Sequence, residues 1–383
     1  MKKILFIFGT RPEAIKTIPI IKEFQRNSNN FKVEVCITAQ HREMLDSVMQ
    51  FFNCKANYDL NIMKKNQGLS ELTSNILTKL DDVLSVSKPD LVFVHGDTTT
   101  TFTASLSAFY HQIPVAHIEA GLRTNNIYSP FPEEINRQLV SKIAKYHFTP
   151  TDSAKDALLK ENIDKSKIYV VGNSVIDALR LALQKIENDK ELKKQIEQKL
   201  NNSKFNIHNS KFILITGHRR ENLGVGFLNI CNSIKELALK YKDVDFVYPV
   251  HLNPKVREPV NKILSDLKNV HLIEPLDYPE FVYLMSKSYL VLTDSGGIQE
   301  EAPSLGKPVL VMRENSERPE ALKAGTAKLV GTTQIVENVS LLLENHQEYL
   351  KMSKAINPYG SGDTSKNIAQ IIKTEFFRSN HDN

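Results

Sequence analysis

The sequence predicts an α/β protein made of two doubly wound parallel-sheet domains. Short β-branched apolar segments alternate with longer amphipathic segments along the 383 residues. The short segments are apolar throughout, as are the strands of sheets covered by helices on both faces. The two halves of the chain also share the same pattern of strands and strand ends. One long sheet is the main alternative to two domains.

Twelve segments have the length and composition of strands. They are, in order, Ile4–Phe8, Val33–Thr38, Leu91–His95, Pro114–Glu119, Tyr146–Thr149, Ile168–Val171, Phe212–Thr216, Phe246–Val250, Val270–Glu274, Tyr289–Thr293, Pro308–Met312 and Ala327–Val330. Helix-like segments lie between them, among them Ala14–Gln25, Leu69–Ser85, Ser153–Glu161 and Leu228–Lys240. Helical crossovers between apolar strands are typical of parallel sheets.

The internal similarity supports a division into two domains. The segment Ile4–Glu13 parallels Phe212–Glu221, and Pro89–Asp97 parallels Ser288–Gly296. The spacing between paired segments drifts along the chain, which indicates two copies of a fold and not a tandem repeat. We expect the two domains to be joined near Gly172–Asn206.

Composition excludes several classes of protein. Hydrophobic residues make up 41% and charged residues 24% of the chain, as in ordinary globular proteins. No apolar run approaches the roughly 20 residues of a membrane span. Lys and Arg exceed Asp and Glu by only 49 − 44 = 5, so neither nucleic acid nor membrane binding is implied. The polar residues from Gly9 onward come too early for an export signal, and the three cysteines are odd in number and form no CxxC, so we expect a cytoplasmic protein with reduced thiols.

Polar residues follow the first predicted strand. Gly9 and Thr10 form a turn, and Arg11 and Lys16 lie at the start of the next helix. Positive charge is unfavourable at a helix N-terminus unless an anion is bound there. We therefore expect an anion site, the alternative being a capped turn with solvated bases.

Three carboxylates follow neighbouring strands and open the next helix. Asp97, Glu119 and Glu133 are expected to converge on one edge of the sheet, because ligands bind beyond the carboxyl ends of parallel strands. Clustered and desolvated acids raise one another's pKa, which suits general acid–base catalysis near neutral pH. The alternative is a set of helix caps and salt bridges with Arg123 and Arg137.

In the second half, the corresponding first strand is followed by His218, Arg219 and Arg220. A lone histidine is more often a packed or surface residue than a catalyst. At a strand end with two arginines beside it, His218 becomes a catalytic candidate, and His251 after the next strand is a weaker one.

The segment Thr293–Glu301 runs from a strand through Ser295, Gly296 and Gly297 into a helix. Glycines allow the backbone to approach a ligand, and a helix N-terminus offers unpaired N–H groups to a phosphate. We expect a phosphate site here, with Glu301 near ribose hydroxyls. The alternative is a glycine-rich helix cap.

Several motifs are absent from the sequence. It has no zinc-ligand spacing, no Walker loop and no Gly-x-Ser-x-Gly elbow. We expect neither a metal nor another cofactor. A phosphate site together with three acids suits chemistry at a sugar whose leaving group is a nucleoside diphosphate. The residues alone leave transfer, hydrolysis and epimerisation open.

Six motifs, in order along the chain, resemble those of the bacterial non-hydrolysing UDP-N-acetylglucosamine 2-epimerases. They are Gly9–Lys16, Thr38–Leu45, Val94–Thr98, His117–Thr124, Thr216–Asn222 and Asp294–Pro303. The resemblance implies the GT-B fold, two Rossmann-like domains facing across a cleft, with the last helix returning to the first domain. It sets the domains at residues 1–171 with 364–383 and at residues 172–363.

The resemblance implies reversible epimerisation of UDP-GlcNAc to UDP-ManNAc at C2, through loss of UDP to a 2-acetamidoglucal and its re-addition. The implied catalytic residues are Asp97, Glu119, Glu133 and His218. The implied substrate-binding residues are Arg11, Lys16, Phe281, Ser295, Gly296, Gly297, Glu301 and Arg318. Which carboxylate takes the C2 proton is left open.

The resemblance also implies a homodimer and activation by a second UDP-GlcNAc. The implied effector contacts are Gln40, His41, Glu134, Arg219 and His251. The competing functions are a hydrolysing 2-epimerase, a GT-B glycosyltransferase and a nucleotide-sugar binder without catalysis. The crowding of three acids argues against a pure anion binder, and the motif Thr216–Asn222 argues against the glycosyltransferase.

Overall fold

A computed structural model describes residues 1–38, 42–62, 67–201, 205–208 and 211–377. The chain forms two compact units. Unit 1 comprises Met1–Ala178 and the C-terminal segment from Tyr359, and unit 2 comprises Leu179–Pro358. The first division lies inside a helix, a few residues beyond the position predicted from the sequence.

Unit 1 contains a seven-stranded sheet with helices between the strands. Its elements are β1 (Lys2–Phe8), α1 (Arg11–Arg26), β2 (Phe31–Ile37), α2 (Arg42–Phe51), β3 (Tyr58–Asp59), α3 (Leu69–Ser87), β4 (Leu91–His95), α4 (Thr99–Tyr110), β5 (Val115–Ile118), α5 (Glu133–Ile143), β6 (Tyr146–Thr149), α6 (Asp152–Lys160) and β7 (Ile168–Val170), followed by α7 (Val175–Asn188), in which the division between the units lies.

Unit 2 contains a six-stranded sheet. Its elements are α8 (Lys190–Asn201), β8 (Lys211–Thr216), α9 (Val225–Lys240), β9 (Val244–Pro249), α10 (Pro254–Leu264), β10 (Val270–Ile273), α11 (Tyr278–Lys287), β11 (Leu290–Thr293), α12 (Gly296–Glu301), β12 (Val309–Val311), α13 (Pro319–Lys323), β13 (Ala327–Leu329), α14 (Ile335–Glu344) and α15 (His346–Ser353). The last helix of the chain, α16 (Thr364–Phe377), belongs to unit 1.

Both sheets have the strand order of a doubly wound fold. The order is β3-β2-β1-β4-β5-β6-β7 in unit 1 and β10-β9-β8-β11-β12-β13 in unit 2, and all the pairings within them are parallel. The order reverses between β1 and β4 and again between β8 and β11, the points where such sheets bind ligands. The predicted fold class is confirmed, and each of the twelve predicted strands overlaps an observed one. The two-residue edge strand β3 was not predicted.

An aromatic cluster lies on one face of the unit 1 sheet. Phe6 stacks on Phe93 with ring centroids 4.7 Å apart, and Phe24 of α1 meets both rings edge-on. These three side chains are fully buried. Helix α16 packs on α1, and its Phe377 ring lies 5.9 Å from that of Phe31. Helices α1 and α16 therefore pack together on this side of the sheet.

The described residues contain no helix with the length and apolar character that a membrane crossing requires. Cys36, Cys54 and Cys231 are buried and free of disulfides.

Candidate active site

The turn after β1 is held by a buried carboxylate. Thr10 caps α1, and the Glu13 side chain accepts hydrogen bonds from the backbone N–H groups of Gly9 (3.0 Å) and Thr10 (2.7 Å). Arg11 is the first residue of α1 and is partly exposed, and Lys16 lies one turn further along the helix. The turn is thus capped internally, while both predicted anion contacts stay at the carboxyl edge of the sheet.

Glu119 follows β5 and lies among basic and polar groups. Its carboxylate pairs with Lys16, and the side-chain amide of Asn173 donates to it at 3.0 Å. The Nε2 atom of His95, at the end of β4, lies 3.8 Å from the same oxygen. Glu119 has a φ of 61°, in the left-handed region that few non-glycine residues adopt. Backbone strain at such a position often accompanies a functional side chain.

Asp97 lies beside this group, after β4. Its carboxylate pairs with Arg137 of α5, and its backbone carbonyl accepts a hydrogen bond from Asn136 at 2.9 Å. Burial raises the pKa of Asp97, the Arg137 guanidinium lowers it, and the negative charges of Glu119 and Glu133 raise it further; the net shift is upward. Glu119 and Glu133 therefore lie close enough to Asp97 for their charges to act on its carboxylate.

Three histidines lie in neighbouring strands beneath the carboxylates. They are His95 of β4, His117 of β5 and His147 of β6, each less than 5% exposed. Burial lowers the pKa of His95 to about 4, of His117 to about 3 and of His147 to about 4. All three are therefore neutral at pH 7.

The alternative interpretation of the acids as salt-bridge partners holds in part. Arg137 does pair with Asp97, but Arg123 pairs with Glu161, with Nε and Oε1 2.6 Å apart. Glu119 pairs with Lys16, and the negative charges of Glu119 and Glu133 also raise the pKa of Asp97.

In unit 2, the turn after β8 is held by Asp294, which follows β11. Its Oδ2 atom accepts hydrogen bonds from the backbone N–H groups of His218 and Arg219, both at 2.8 Å. The Tyr248 hydroxyl donates to the Gly217 carbonyl at 2.6 Å. Asp294 is fully buried, so it fixes the turn from beneath.

His218 stacks on His251, with ring centroids 4.9 Å apart and planes 10° from parallel. Burial lowers the pKa of His218, Asp294 opposes that shift, and His251 and Arg219 reinforce it; the net shift is downward. The structure thus brings together three residues that the sequence analysis singled out, His218, Arg219 and His251.

The glycine turn lies beside Arg318. A methyl group built on Gly296 would lie 3.8 Å from the Arg318 guanidinium, whose Nε donates to Glu300 at 2.5 Å. One built on Gly297 would lie 3.7 Å from the Glu301 carboxylate. Ser295 precedes α12, and its backbone N–H donates to the Thr293 hydroxyl at 3.0 Å. Gly296 thus lies beside a guanidinium and Gly297 beside a carboxylate.

The other predicted residues are placed less closely. Phe281 lies in the first half of α11 and is partly buried. Gln40 and His41 lie outside the residues that the structure describes.

Sequence reasoning missed three residues of these sites. Asn173 follows β7 by a short glycine turn, and its place after a strand end was the available signal. The sequence analysis includes His95 only within the motif Val94–Thr98, although it ends a buried strand. Asp294 was read as part of the glycine turn, whereas it holds the turn after β8.

Among the described residues, no group of three or more His, Cys, Asp or Glu side chains has the arrangement needed to hold a metal ion.

Comparison with known proteins decides the family. A family model described as UDP-N-acetylglucosamine 2-epimerase matches residues 22–373. The chain belongs to the UDP-N-acetylglucosamine 2-epimerase family. It is 58% identical to the enzyme of that name from Neisseria meningitidis, over 97% of this chain and 99% of the relative. It is 52% identical to the Escherichia coli K12 enzyme, over 97% of this chain and 98% of the relative.

Solved structures of the epimerase family have the same fold. The Neisseria meningitidis epimerase bound to UDP-GlcNAc superposes with a TM-score of 0.87, at 58% identity and over 97% of this chain and 99% of that one. A putative epimerase from Listeria monocytogenes superposes with a TM-score of 0.91, at 44% identity and over 99% and 97%. The predicted family is therefore confirmed. The predicted enzyme class, an isomerase, is confirmed with it.

Proposed function

We propose that the chain interconverts UDP-GlcNAc and UDP-ManNAc by epimerisation at C2. The observation that carries this proposal is the carboxylate cluster of unit 1, in which the charges of Glu119 and Glu133 act on a partly buried Asp97 that is paired with Arg137. Family membership at 52–58% identity over nearly the whole chain supports the substrate.

The proposed reaction begins with elimination. A carboxylate takes the C2 proton, the C–H electron pair forms the C1=C2 bond, and the anomeric C–O bond breaks to release UDP from a 2-acetamidoglucal. UDP then adds back at C1, and a proton is delivered to the opposite face of C2. Proton removal on one face and delivery on the other need two acid–base groups, and a cluster of carboxylates supplies them.

Within unit 1 we assign acid–base roles to Asp97, Glu119 and Glu133. Lys16 supports this assignment for Glu119, because its ammonium group stabilises the ionised carboxylate. We assign substrate and diphosphate contacts to Arg11 and Lys16.

Within unit 2 we assign the diphosphate to Ser295, Gly296 and Gly297, because glycines have no side chain to keep an anion from the backbone and the Arg318 guanidinium beside Gly296 adds positive charge. Glu301 is assigned to the ribose hydroxyls and Phe281 to the uracil. His218 is assigned a catalytic or UDP-contacting role, which its exposed imidazole can perform as a hydrogen-bond donor or acceptor.

We further propose activation by a second UDP-GlcNAc, with Gln40, His41, Glu134, Arg219 and His251 as its determinants. The stacking of His251 on His218 supports a link between effector and catalytic groups. A cytoplasmic homodimer that supplies precursors for bacterial surface polysaccharides completes the proposal.

The proposal is tested by incubating the protein with UDP-GlcNAc in D2O and following the products by proton NMR. We expect UDP-ManNAc to appear and deuterium to replace the C2 proton in both sugars. Free ManNAc with UDP would identify a hydrolysing enzyme, in which water captures the intermediate. Tight UDP binding without exchange or product would identify a binder and overturn the proposal.

A further inference from the structure

Arg137 lies between two carboxylates of unit 1. One terminal nitrogen pairs with Asp97, and the other donates to Glu134 at 3.2 Å. The Arg137 side chain is only 12% exposed. A planar guanidinium can contact two acceptors in a fixed fork geometry, which a lysine ammonium cannot reproduce. The orientation of Arg137 towards Asp97 is therefore tied to Glu134.

Glu134 is occupied entirely by protein groups. Its side chain is fully buried. One carboxylate oxygen accepts from the backbone N–H of Asn125 (3.0 Å) and from the Gln138 amide (3.1 Å). The other accepts from the backbone N–H of Thr124 (3.0 Å) and from Arg137. Burial raises the pKa of Glu134, but these hydrogen bonds and the Arg137 charge outweigh it and lower the pKa overall.

The same carboxylate anchors the loop before α5. Thr124 also donates from its hydroxyl to the Ser129 carbonyl at 2.6 Å, which closes the loop on itself. The loop presents Tyr128 and Phe131, which are 75% and 60% exposed and whose rings lie 6.4 Å apart. Glu134 thus connects a loop with an exposed aromatic pair to the arginine that contacts Asp97.

Asp97 is surrounded by charges of both signs. Burial and the negative charges of Glu119 and Glu133 raise its pKa, and Arg137 is the cation that lowers it. Without Arg137 a partly buried carboxylate beside two other carboxylates would bind a proton at higher pH. The position of one guanidinium therefore limits how far the pKa of Asp97 is raised.

We propose that Glu134 and Arg137 are positioning residues, in which Glu134 holds the Arg137 guanidinium against Asp97 and so keeps a compensating positive charge beside that carboxylate. The inference rests on the proposed function of Asp97. It makes the effect of Glu134 indirect, on Asp97 and on effector binding alike, because its oxygens are already occupied by four protein donors. The loop of residues 124–132 contributes to this positioning, because two of its backbone N–H groups donate to Glu134.

The test is a direct titration of Asp97. Protein labelled with ¹³C at the aspartate carboxyl carbons is titrated by NMR, and the Asp97 resonance is assigned by its absence in Asp97→Asn. In Arg137→Met we expect the midpoint to rise by about 1–3 pH units, the usual effect of losing an adjacent opposite charge. Arg137→Lys, which keeps the charge but not the fork, should rise less. Arg26→Met removes an arginine that is 65% exposed at the end of α1 and should leave the midpoint unchanged.

Glu134→Ala distinguishes a role of Glu134 in positioning Arg137 from a direct effect of its negative charge on Asp97. If Glu134 positions Arg137, its loss should raise the Asp97 midpoint, in the same direction as Arg137→Met. If it acts only as a nearby negative charge, its loss should lower the midpoint, and this result would overturn its positioning role. An unchanged midpoint in Arg137→Met would overturn the whole inference.

The pH dependence of kcat/KM for epimerisation distinguishes this inference from the proposed function. We expect the acidic limb to move upward together with the Asp97 midpoint in Arg137→Met. A midpoint that moves while the limb stays in place would leave the positioning of Asp97 intact and remove Asp97 from the proposed chemistry.

Discussion

The two units share a strand order but use different residues at the point where that order reverses. At equivalent places after β4 and β11, unit 1 has His95 and Asp97 where unit 2 has Asp294 and Gly296. In unit 1 the second residue is a carboxylate with a raised pKa. In unit 2 it is a glycine beside the Arg318 guanidinium.

The turn after the first strand shows the same divergence. In both units a buried carboxylate accepts two backbone N–H groups of that turn, but Glu13 of α1 does so in unit 1 and Asp294, after β11, does so in unit 2. Because Glu13 anchors the turn in unit 1, the strand end at β4 is available for other chemistry. One fold therefore supports an acidic edge in one unit and a glycine-rich edge beside an arginine in the other.

The largest expected effect is on catalysis by the acidic edge. Asp97→Asn, Glu119→Gln and Glu133→Gln should each lower kcat by about 10²–10⁴-fold, the usual contribution of general acid–base catalysis. Steady-state epimerisation assays measure this. Asp82→Asn, an exposed acid on α3, is the matched control and should retain full activity. If all three variants keep near full activity, the acidic edge of unit 1 does not perform the acid–base catalysis assigned to it.

Acid should unfold unit 1 before unit 2. His95, His117 and His147 are held neutral by burial, so their pKa values are lower in the folded state than in the unfolded state. Below pH 6.5 the unfolded state binds protons that the folded state does not, and stability falls until the pH reaches about 4 for His95 and His147 and about 3 for His117. Each histidine contributes up to about 1.4 kcal/mol per pH unit in this window.

Hydrogen exchange measured by mass spectrometry at pH 7 and pH 5 locates the loss. Peptides from β4, β5 and β6 should lose protection at pH 5 before those from β8, β9 and β11. His147→Gln should make the stability of unit 1 less dependent on pH. Equal loss in both units would show that the buried histidines do not control the acid response.

The two turn anchors should matter for stability, each in its own unit. Glu13→Ala and Asp294→Ala leave buried backbone N–H groups without acceptors, at a cost of about 1–3 kcal/mol. Urea unfolding followed by circular dichroism measures the total, and hydrogen exchange shows which unit is weakened. Asp82→Ala serves as the exposed control. Loss of protection in the wrong unit for either variant would contradict the assignment of the anchors.

The smallest expected effect is on UDP binding at the unit 2 edge. Gly296→Asp introduces the residue type that unit 1 has at the equivalent position, and it should weaken UDP binding by about 10-fold through charge repulsion. Gly296→Ala is the steric control, because its methyl group makes only an ordinary contact with Arg318. Calorimetric titration with UDP measures both. Equal losses in the two variants would indicate crowding and not charge.

The sequence predicts the sheets and the acidic edge for the same reason. Strands buried on both faces are continuous apolar runs, and the residues after them must lie at one edge, so Asp97 and Glu119 could be placed together. The two-residue strand β3 could not be predicted, because Tyr58–Asp59 has no apolar run.

Contacts between distant parts of the chain were beyond sequence reasoning. Asn173 donates to Glu119 from 54 residues away, and Asp294 holds the turn at His218 from 76 residues away. Neither spacing carries a periodic signal. The same holds for Glu134, whose place among four donors depends on how the loop at Thr124 folds back.

The central claim, that the acidic edge of unit 1 performs proton transfer at C2, is tested most directly by two measurements on Asp97→Asn. These are the rate of deuterium incorporation at C2 of UDP-GlcNAc in D2O and the affinity for UDP. We predict that exchange falls by at least about 10²-fold while UDP affinity stays near that of the unaltered protein. Exchange at the unaltered rate, or a loss of UDP affinity as large as the loss of exchange, would contradict the claim.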